Sequence, residues 1–566
     1  MLQFVKFRAL AAPTANTMQT HRTCFTPLDA PLALFLLSAV IAAFIGYDRS
    51  TAWVPLAVLL GAGGGYVLVS RTGRHSLRAM RIATIVSGAG ALVGLYFITQ
   101  YPHYPGLDKV AVISSILDLI GRITPNLAFW TPVANSIAAL LEGLIFLAIG
   151  VGWAAQRRGL RWFALACAGM MALAVLFTSS RGAWLAVGLA ALLWATVYLR
   201  PARWLGYALL AGLALLAAVV LFSGDIHVLG RIPLIDRTVA PLFIRPDRLD
   251  VYRGSLQLIQ DLPLTGVGLG GQFAMNYSKY VLLIQVPYLE YSHNLYLEVW
   301  LQQGLLGLFA WIWLLAALIF VVVRAQRQGH NRLFEGAWVG LAAVYLHGVT
   351  DARQYSDWWS WLVFFLLMGI CAAEWLREQK PLPWRQALAP LAAAALLLLA
   401  VTVSLPSLPA AWRANLGCLQ QARADLSAQM SAEQRAGLRA QAMANFQRAA
   451  QLDPEERTSN LRLGLMFTED GRYAEALPYL SAAAAADLNN RTTNKALGLG
   501  YVWNGEIDRA AQMLAPLEEM VNELNTWGWW RVSRGEDQLA RYAYRTSLRI
   551  YPDQPEVIGA LDALAP

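Results

Sequence analysis

His293 and Asn294 open the apolar run from Ser292 to Leu308, which reads SHNLYLEVWLQQGLLGL. A histidine at a helix start can take a proton from a hydroxyl, or can simply hydrogen-bond the first turn. In the first turn, the positive end of the helix dipole disfavours the imidazolium, which leaves a neutral ring able to act as a base. Gly304 and Gly307 follow at a spacing that puts both on one face of a continuous helix. Such a pair lets a neighbouring helix approach closely inside a membrane, so the glycines are expected to fix the helix whose first turn carries His293.

Two other places carry groups suited to anionic chemistry. Arg181 lies in the polar break Phe177 to Gly182, between two apolar runs. Its guanidinium could snorkel to lipid headgroups, or its planar fork could grip two oxygens of a phosphate diester. Arg231, Arg237, Arg245, Arg248 and Arg253 precede the glycine-rich turn from Thr265 to Gly271. Arg248 is the preferred phosphate ligand, with Arg245 and Arg253 as rivals; alternatively these arginines pair with Asp236, Asp247 and Asp250 on a solvated helix. Gly266, Gly268 and Gly271 spell GxGxxG, but no strand precedes them and no alternation of strands and helices surrounds them, which argues against a dinucleotide site. Asp351, in HGVTDARQYSDWW, could orient a base or pair with Arg353. There is no Asp-x-Asp and no His-x-x-x-His, so no metal site and no cofactor is expected.

The elements that must position these groups are membrane helices. The chain has 566 residues, 57% hydrophobic and 14% charged, far more apolar surface than a soluble core needs. The net charge of +9 falls largely in short loops, which argues against nucleic acid. Cys24, Cys167, Cys371 and Cys418 are scattered, without metal or redox spacing. Apolar runs at about 31–47, 51–70, 82–101, 131–155, 162–179, 182–199, 205–223, 304–324, 334–351, 358–376 and 387–405 suggest roughly eleven spans. A half-helix in 107–123 would make twelve. The predicted fold class is therefore all-α: a polytopic membrane protein of about 11–12 transmembrane helices with a large loop and a C-terminal α-solenoid.

Alternate loops differ sharply in Lys and Arg. One set holds eighteen, among them Arg71, Arg74, Arg157, Arg158, Arg324 and Arg377, whereas the other short loops hold only Arg49, Lys109, Arg122, Arg181 and Arg353. The positive-inside rule makes the first set cytoplasmic. The expected organisation is a cytoplasmic tail at 1–30, helices one to seven at 31–224, a periplasmic catalytic loop at 225–300, helices eight to eleven at 301–408 and a periplasmic solenoid at 409–566. Glu142 is the one charged residue well inside a span, and as a carboxylate without an obvious partner it gives thin support to ion-coupled transport.

The solenoid shows in an internal period. Gly464, Gly471, Ala476, Leu480 and Ser481 are answered 34 residues on by Gly498, Gly505, Ala510, Leu514 and Ala515, with Gly535, Ala540 and Tyr544 fitting a unit shortened by four. That is a tetratricopeptide-like repeat of three to four units, in which small residues let paired helices pack.

The spelling His293-Asn294, nine residues, Gly304, two residues, Gly307 resembles the motif of O-antigen ligases, within the ligase and polymerase superfamily of bacterial polysaccharides. Ser180-Arg181-Gly182 looks like that family's first arginine motif. Arg248 to Tyr252 followed by Pro263 to Gly270 resembles its second. The resemblance covers Thr178 to Asp351 in motifs. It implies an inner-membrane glycosyltransferase that moves a preassembled glycan from undecaprenyl pyrophosphate to a sugar hydroxyl of the lipid A core, on the periplasmic face and with inversion; the lack of a ligand cluster makes the transfer metal-independent by expectation. His293 would be the base, Arg181 and Arg248 would hold the pyrophosphate, and Asn294, Asp351, Arg245 and Arg253 would support them. The expected partners are the lipid-linked glycan, the lipid A core, membrane lipids and a protein partner on the solenoid. Protein O-oligosaccharyltransferases and O-antigen polymerases share the scaffold and differ in acceptor. The alternative of another class is an envelope transporter or scaffold whose solenoid recruits partners.

Overall fold

The computed structural model describes residues 25–73, 76–104, 111–127, 129–198, 204, 246–279, 289–378 and 405–564. The spans expected at 205–223 and 387–405, together with Arg231, Arg237 and Arg245, lie outside them. Among the described residues the secondary structure is all helical. Among them, six helical stretches are long and apolar enough to cross a bilayer: Arg49–Thr72, Leu77–His103, Ala134–Ala154, Arg158–Phe177, Leu295–Arg327 and Ser360–Arg377. Asp29–Ala43 and Arg181–Val197 are shorter apolar helices, and Arg332–His347 is buried over most of its length. The chain is an all-α polytopic membrane protein. The half-helix suspected in 107–123 exists as Ala111–Ile123, whose 13 residues are too few to cross hydrocarbon.

Close packing follows from glycine where helices cross. A Cβ on Gly340 would sit 2.5 Å from the Gly143 carbonyl oxygen, and one on Gly150 would sit 3.1 Å from Gly336 Cα. Helix Ala134–Ala154 can therefore lie directly against Arg332–His347, backbone to backbone. Phe35, Trp311, Trp361, Phe364 and Phe365 fill the core between helices Asp29–Ala43, Leu295–Gln328 and Ser360–Glu378. A buried polar chain crosses the same contact: Ser38 Oγ donates to Gln303 Oε1 at 2.7 Å and Gln303 Nε2 donates to the Tyr355 hydroxyl at 2.5 Å. Each member satisfies the next in a region where an unpaired polar group would be costly.

The glycine pair behaves differently from expectation. Gly304 has φ 68° and ψ −170°, so helix Leu295–Gln328 breaks there instead of presenting Gly304 and Gly307 on one smooth face. What enters the break is the glycine-rich turn, not a helix. The Leu305 amide donates to the Leu264 carbonyl at 3.2 Å, and the Val267 amide to the Leu301 carbonyl at 2.6 Å. Two backbones meet where any side chain at Gly304 would collide with Leu264 and Thr265. Gly307 alone faces a neighbouring helix, through Ser38.

The C-terminal helices run as antiparallel pairs: Leu408–Leu426 with Ala432–Leu452, Arg457–Glu469 with Tyr473–Ala486, Arg491–Trp503 with Ile507–Leu514, and Met520–Ser533 with Asp537–Ile550, before a last helix, Pro555–Ala563. Gly464 packs on Leu480 and Gly498 on Leu514, the same contact displaced by the sequence period. Gly471, Gly505 and Gly535 take φ of 73°, 76° and 72°, so each pair turns at its own glycine.

These pairs grip the loops at one end of the membrane bundle. Asn415 accepts from the Leu264 and Thr265 amides at 3.1 and 3.3 Å and donates to Thr265 Oγ1 at 2.7 Å. Arg423 donates to the Phe44 and Ile45 carbonyls at 2.8 Å each. Asp261, closing helix Pro246–Asp261, is buried against Arg457 and Arg462.

Candidate functional site

One turn, His347 to Arg353, brings together His293, Asn294, Arg248 and Asp351 of the residues singled out by sequence. It folds on itself through His347, whose carbonyl accepts the Thr350 and Asp351 amides at 2.8 and 3.0 Å. From the helix Leu295–Gln328, the Leu295 amide donates to the Gly348 carbonyl at 2.6 Å, and Asn294 Nδ2 donates to the Val349 carbonyl at 3.0 Å. The same Asn294 is the helix cap, its Oδ1 accepting from the Tyr296 and Leu297 amides at 3.0 and 3.1 Å. Asn294 thus fixes the helix start and ties it to the turn.

His293 lies just outside the helix, one residue before its cap, and not in the first turn as expected. Its φ is 54°, a left-handed conformation that histidine adopts more readily than most side chains but that still needs support. Tyr252 supplies it: its hydroxyl donates to the His293 carbonyl at 3.0 Å. Burial pushes the Tyr252 phenol up to about 12, so it remains a donor. The His293 ring lies 4.5 Å from the Tyr291 ring, and its Nδ1 is 3.6 Å from Asp351 Oδ1. That distance is too long for a strong hydrogen bond and short enough for charge to be felt.

Asp351 is the buried anion of the cluster, 3% exposed. Arg248 Nη2 lies 3.9 Å from Oδ2 and Arg353 Nε 3.9 Å from Oδ1. Arg248 also donates to the Thr350 carbonyl, and the Arg353 guanidinium lies 5.0 Å from the Tyr291 ring centre. Asp351 thus stands within reach of both groups weighed for it in sequence, the histidine at 3.6 Å and Arg353 at 3.9 Å. Burial pushes its carboxyl up, but contact with His293 and the charges of Arg353, His293 and His347 overcome that and hold it well below the usual carboxylate range.

A stability prediction follows from that shift. With the folded value below the unfolded one, ionised Asp351 contributes stability fully above about pH 4 and loses it as pH falls further toward the folded value. Thermal melting of the wild type and Asp351→Asn should show a constant wild-type advantage above about pH 5, shrinking on acidification below about pH 4. An advantage that grows on acidification would contradict the assignment.

The helix that Arg181 opens reaches the same place through Gly182. A Cβ on Gly182 would lie 2.6 Å from Thr350 Oγ1 and 3.2 Å from His347 Nε2, so the start of helix Arg181–Tyr198 packs directly on the turn. The polar break before it is buried, and Ser179 has φ 53°. Arg253 does not join: it is exposed and pairs with Asp250 at 3.3 Å. Arg245 lies outside the described residues. Among the described arginines of this helix, Arg248, preferred in sequence as the phosphate ligand, is the one that contacts the turn.

Sequence reasoning missed other members. Tyr291 and His347 carried no signal beyond residue type, and Tyr252 entered only as the end of the second arginine motif. Glu142 was read as a carboxylate without a partner, and this is corrected: its Oε2 lies 2.8 Å from His347 Nδ1, with both side chains buried. A carboxylate buried in a membrane helix needs such a partner, and here the pair joins helix Ala134–Ala154 to the turn.

The groups at this turn comprise an imidazole backed by a carboxylate, two arginines near that carboxylate, and a third arginine beside the glycine that packs on the turn. Such a set can deprotonate a hydroxyl and stabilise an anionic leaving group. In comparison with known families, the profile described as O-antigen ligase matches residues 166–312. That stretch includes Arg181, Arg248 and His293 and stops short of Asp351. No curated protein matches the chain.

Proposed function

We propose that this chain is an inner-membrane glycosyltransferase that moves a preassembled glycan from undecaprenyl pyrophosphate to the lipid A core oligosaccharide on the periplasmic face. The observation that carries the reading is the meeting of His293, Asp351, Arg248 and the Arg181-Gly182 step at one turn, all but Asp351 inside the stretch matched by the O-antigen ligase profile. Arg353 and the Arg181-Gly182 step, both from the Arg-poor set of loops, meet at this turn, which supports a periplasmic site.

In the proposed reaction, the imidazole of His293 takes the proton of an acceptor hydroxyl. The oxygen attacks the anomeric carbon as the bond to the pyrophosphate oxygen breaks, so configuration inverts without a covalent intermediate. Asp351 stabilises the imidazolium that forms, as a buried carboxylate does for a general base. Arg181 and Arg248 hold the pyrophosphate and its developing charge. No step uses a metal. The C-terminal helical pairs, read as a tetratricopeptide-like solenoid, brace helix Pro246–Asp261 through Asp261 and so help to aim Arg248.

The test is transfer by purified protein in lipid nanodiscs, with lipid-linked glycan as donor and lipid A core, a pilin-like protein or growing polymer as acceptor, with and without chelator. Transfer to lipid A core, unchanged by chelator, is expected. Transfer only to protein or only to polymer would move the assignment to the corresponding relative of the ligases, and no transfer to any of them would remove it.

A further inference from the structure

The C-terminal pairs line an open cavity of about 570 Å³ that neither the membrane site nor helix packing accounts for. It lies within the usual range for ligand sites, roughly 300–1,000 Å³. Its walls are flat rings: Tyr473, Trp503, Trp527 and Trp530. Trp503 and Trp527 meet at 78°, Trp527 and Trp530 at 84°, so successive indoles stand nearly perpendicular. Arg531 holds them in place. Its guanidinium lies 4.7 Å from the Trp503 ring and 5.1 Å from the Trp530 ring, and it pairs with Glu536.

The polar lining is balanced in charge. Glu469 and Asp470 are matched by Arg439 at 2.9 and 3.2 Å. Glu536 is matched by Arg531, and by Arg534 at 3.7 Å. Arg534 is itself exposed, with its guanidinium 4.6 Å from the Trp530 ring. A strongly charged ligand would find no excess of opposite charge here. A purely apolar one would strand the carboxylates and guanidinium groups.

We propose that this cavity binds a short, uncharged stretch of oligosaccharide, and the proposal rests on the reading of the chain as a glycan-transferring protein. A pyranose has an apolar C–H face that lies flat on an indole and a rim of hydroxyls that both donate and accept hydrogen bonds. Flat rings and paired carboxylate and guanidinium groups in one cavity match both features. The bonds from Arg423 to the Phe44 and Ile45 carbonyls set the C-terminal pairs at the same end of the bundle as His293. A glycan held here would have its remainder near the transfer site.

The experiment is calorimetric titration of the full chain in nanodiscs with free glycan released by mild acid from the undecaprenyl-pyrophosphate-linked donor. Trp530→Ala should weaken binding by about tenfold or more, the factor that ~1.4 kcal/mol sets. Arg534→Ala, a change at an exposed position that leaves the helix pairs intact, should weaken it several-fold. Trp529→Ala, whose side chain is exposed outside the cavity, and His293→Ala should leave it unchanged. The proposal is overturned if the wild type binds no glycan at millimolar concentration, if Arg534→Ala and a folded Trp530→Ala bind as the wild type does, or if a Ser/Thr-rich peptide saturates the cavity and glycan does not. Transfer measured on the same samples separates the two readings. Glycan binding lost in the variants while the wild type transfers nothing would sink the proposed function alone, and wild-type transfer without this binding would sink the cavity proposal alone.

Discussion

His293→Ala is expected to lower single-turnover transfer by about 100- to 10,000-fold while donor binding stays within about twofold, the range that loss of a general base produces. The imidazole lies 3.6 Å from Asp351 and 4.5 Å from the Tyr291 ring, its backbone carbonyl is held by the Tyr252 hydroxyl, and the next residue, Asn294, caps the helix. Removing the ring leaves those backbone bonds available, so donor contacts assigned to Arg181 and Arg248 should persist. Alanine is strained at φ 54°, and a general loosening of the turn must be told apart from loss of the base. His293→Gly adopts that backbone freely. Both variants should therefore lose transfer alike, whereas a strain effect would spare the glycine variant. Transfer at the wild-type rate in either would remove His293 from the mechanism.

How far the sequence could carry this site depends on what kind of fact each part is. Apolar runs locate helices because hydrocarbon must be matched by about 20 apolar residues, and the described helices fall where the runs were read. The 34-residue spacing singled out Gly471 and Gly505, and both take a left-handed φ where one helix of a pair turns into the next. The pairing of His293 with Asp351 was open in sequence because 58 positions separate them and only folding brings the turn after His347 to the helix cap. The break at Gly304 was misread for a definite reason. A glycine permits both a close helix crossing and a left-handed kink, and only the presence of Leu264 and Thr265 decides between them. Glu142 is similar. Its burial was legible from its place in an apolar run, but its partner came from a helix end about 200 residues later.

The docking of the C-terminal pairs was the least legible feature, since Asn415, Arg457 and Arg462 look like ordinary surface residues of an amphipathic repeat. Their partners are backbone amides and one buried carboxylate on a different segment. Asp261 sits at the end of the helix that begins near Arg248. A clamp at one end therefore limits how the other end can swing. The C-terminal helical pairs, expected only to position partners, are thereby coupled to the arginine proposed to hold the donor.

That coupling shapes the second large effect expected. Arg248→Ala should lower transfer by about 100- to 1,000-fold, the cost of losing one charge-stabilising donor in a closed site. It should also weaken donor binding, as should Arg181→Ala. Lysine at either position keeps the charge and loses the fork, so partial recovery is expected in both activity and binding. Arg248 has a second task, since it donates to the Thr350 carbonyl and stands 3.9 Å from Asp351. If it only held the turn together, its loss would lower the melting temperature and slow transfer while leaving donor affinity unchanged. Donor affinity is therefore the quantity that distinguishes a pyrophosphate ligand from a brace. Measuring it for Arg181→Ala, Arg181→Lys, Arg248→Ala and Arg248→Lys beside His293→Ala gives each role a different signature: affinity falls for the arginines and holds for the histidine. Normal donor affinity in both arginine series would place the pyrophosphate elsewhere and leave the arginines as the scaffold of the His293 and Asp351 pair.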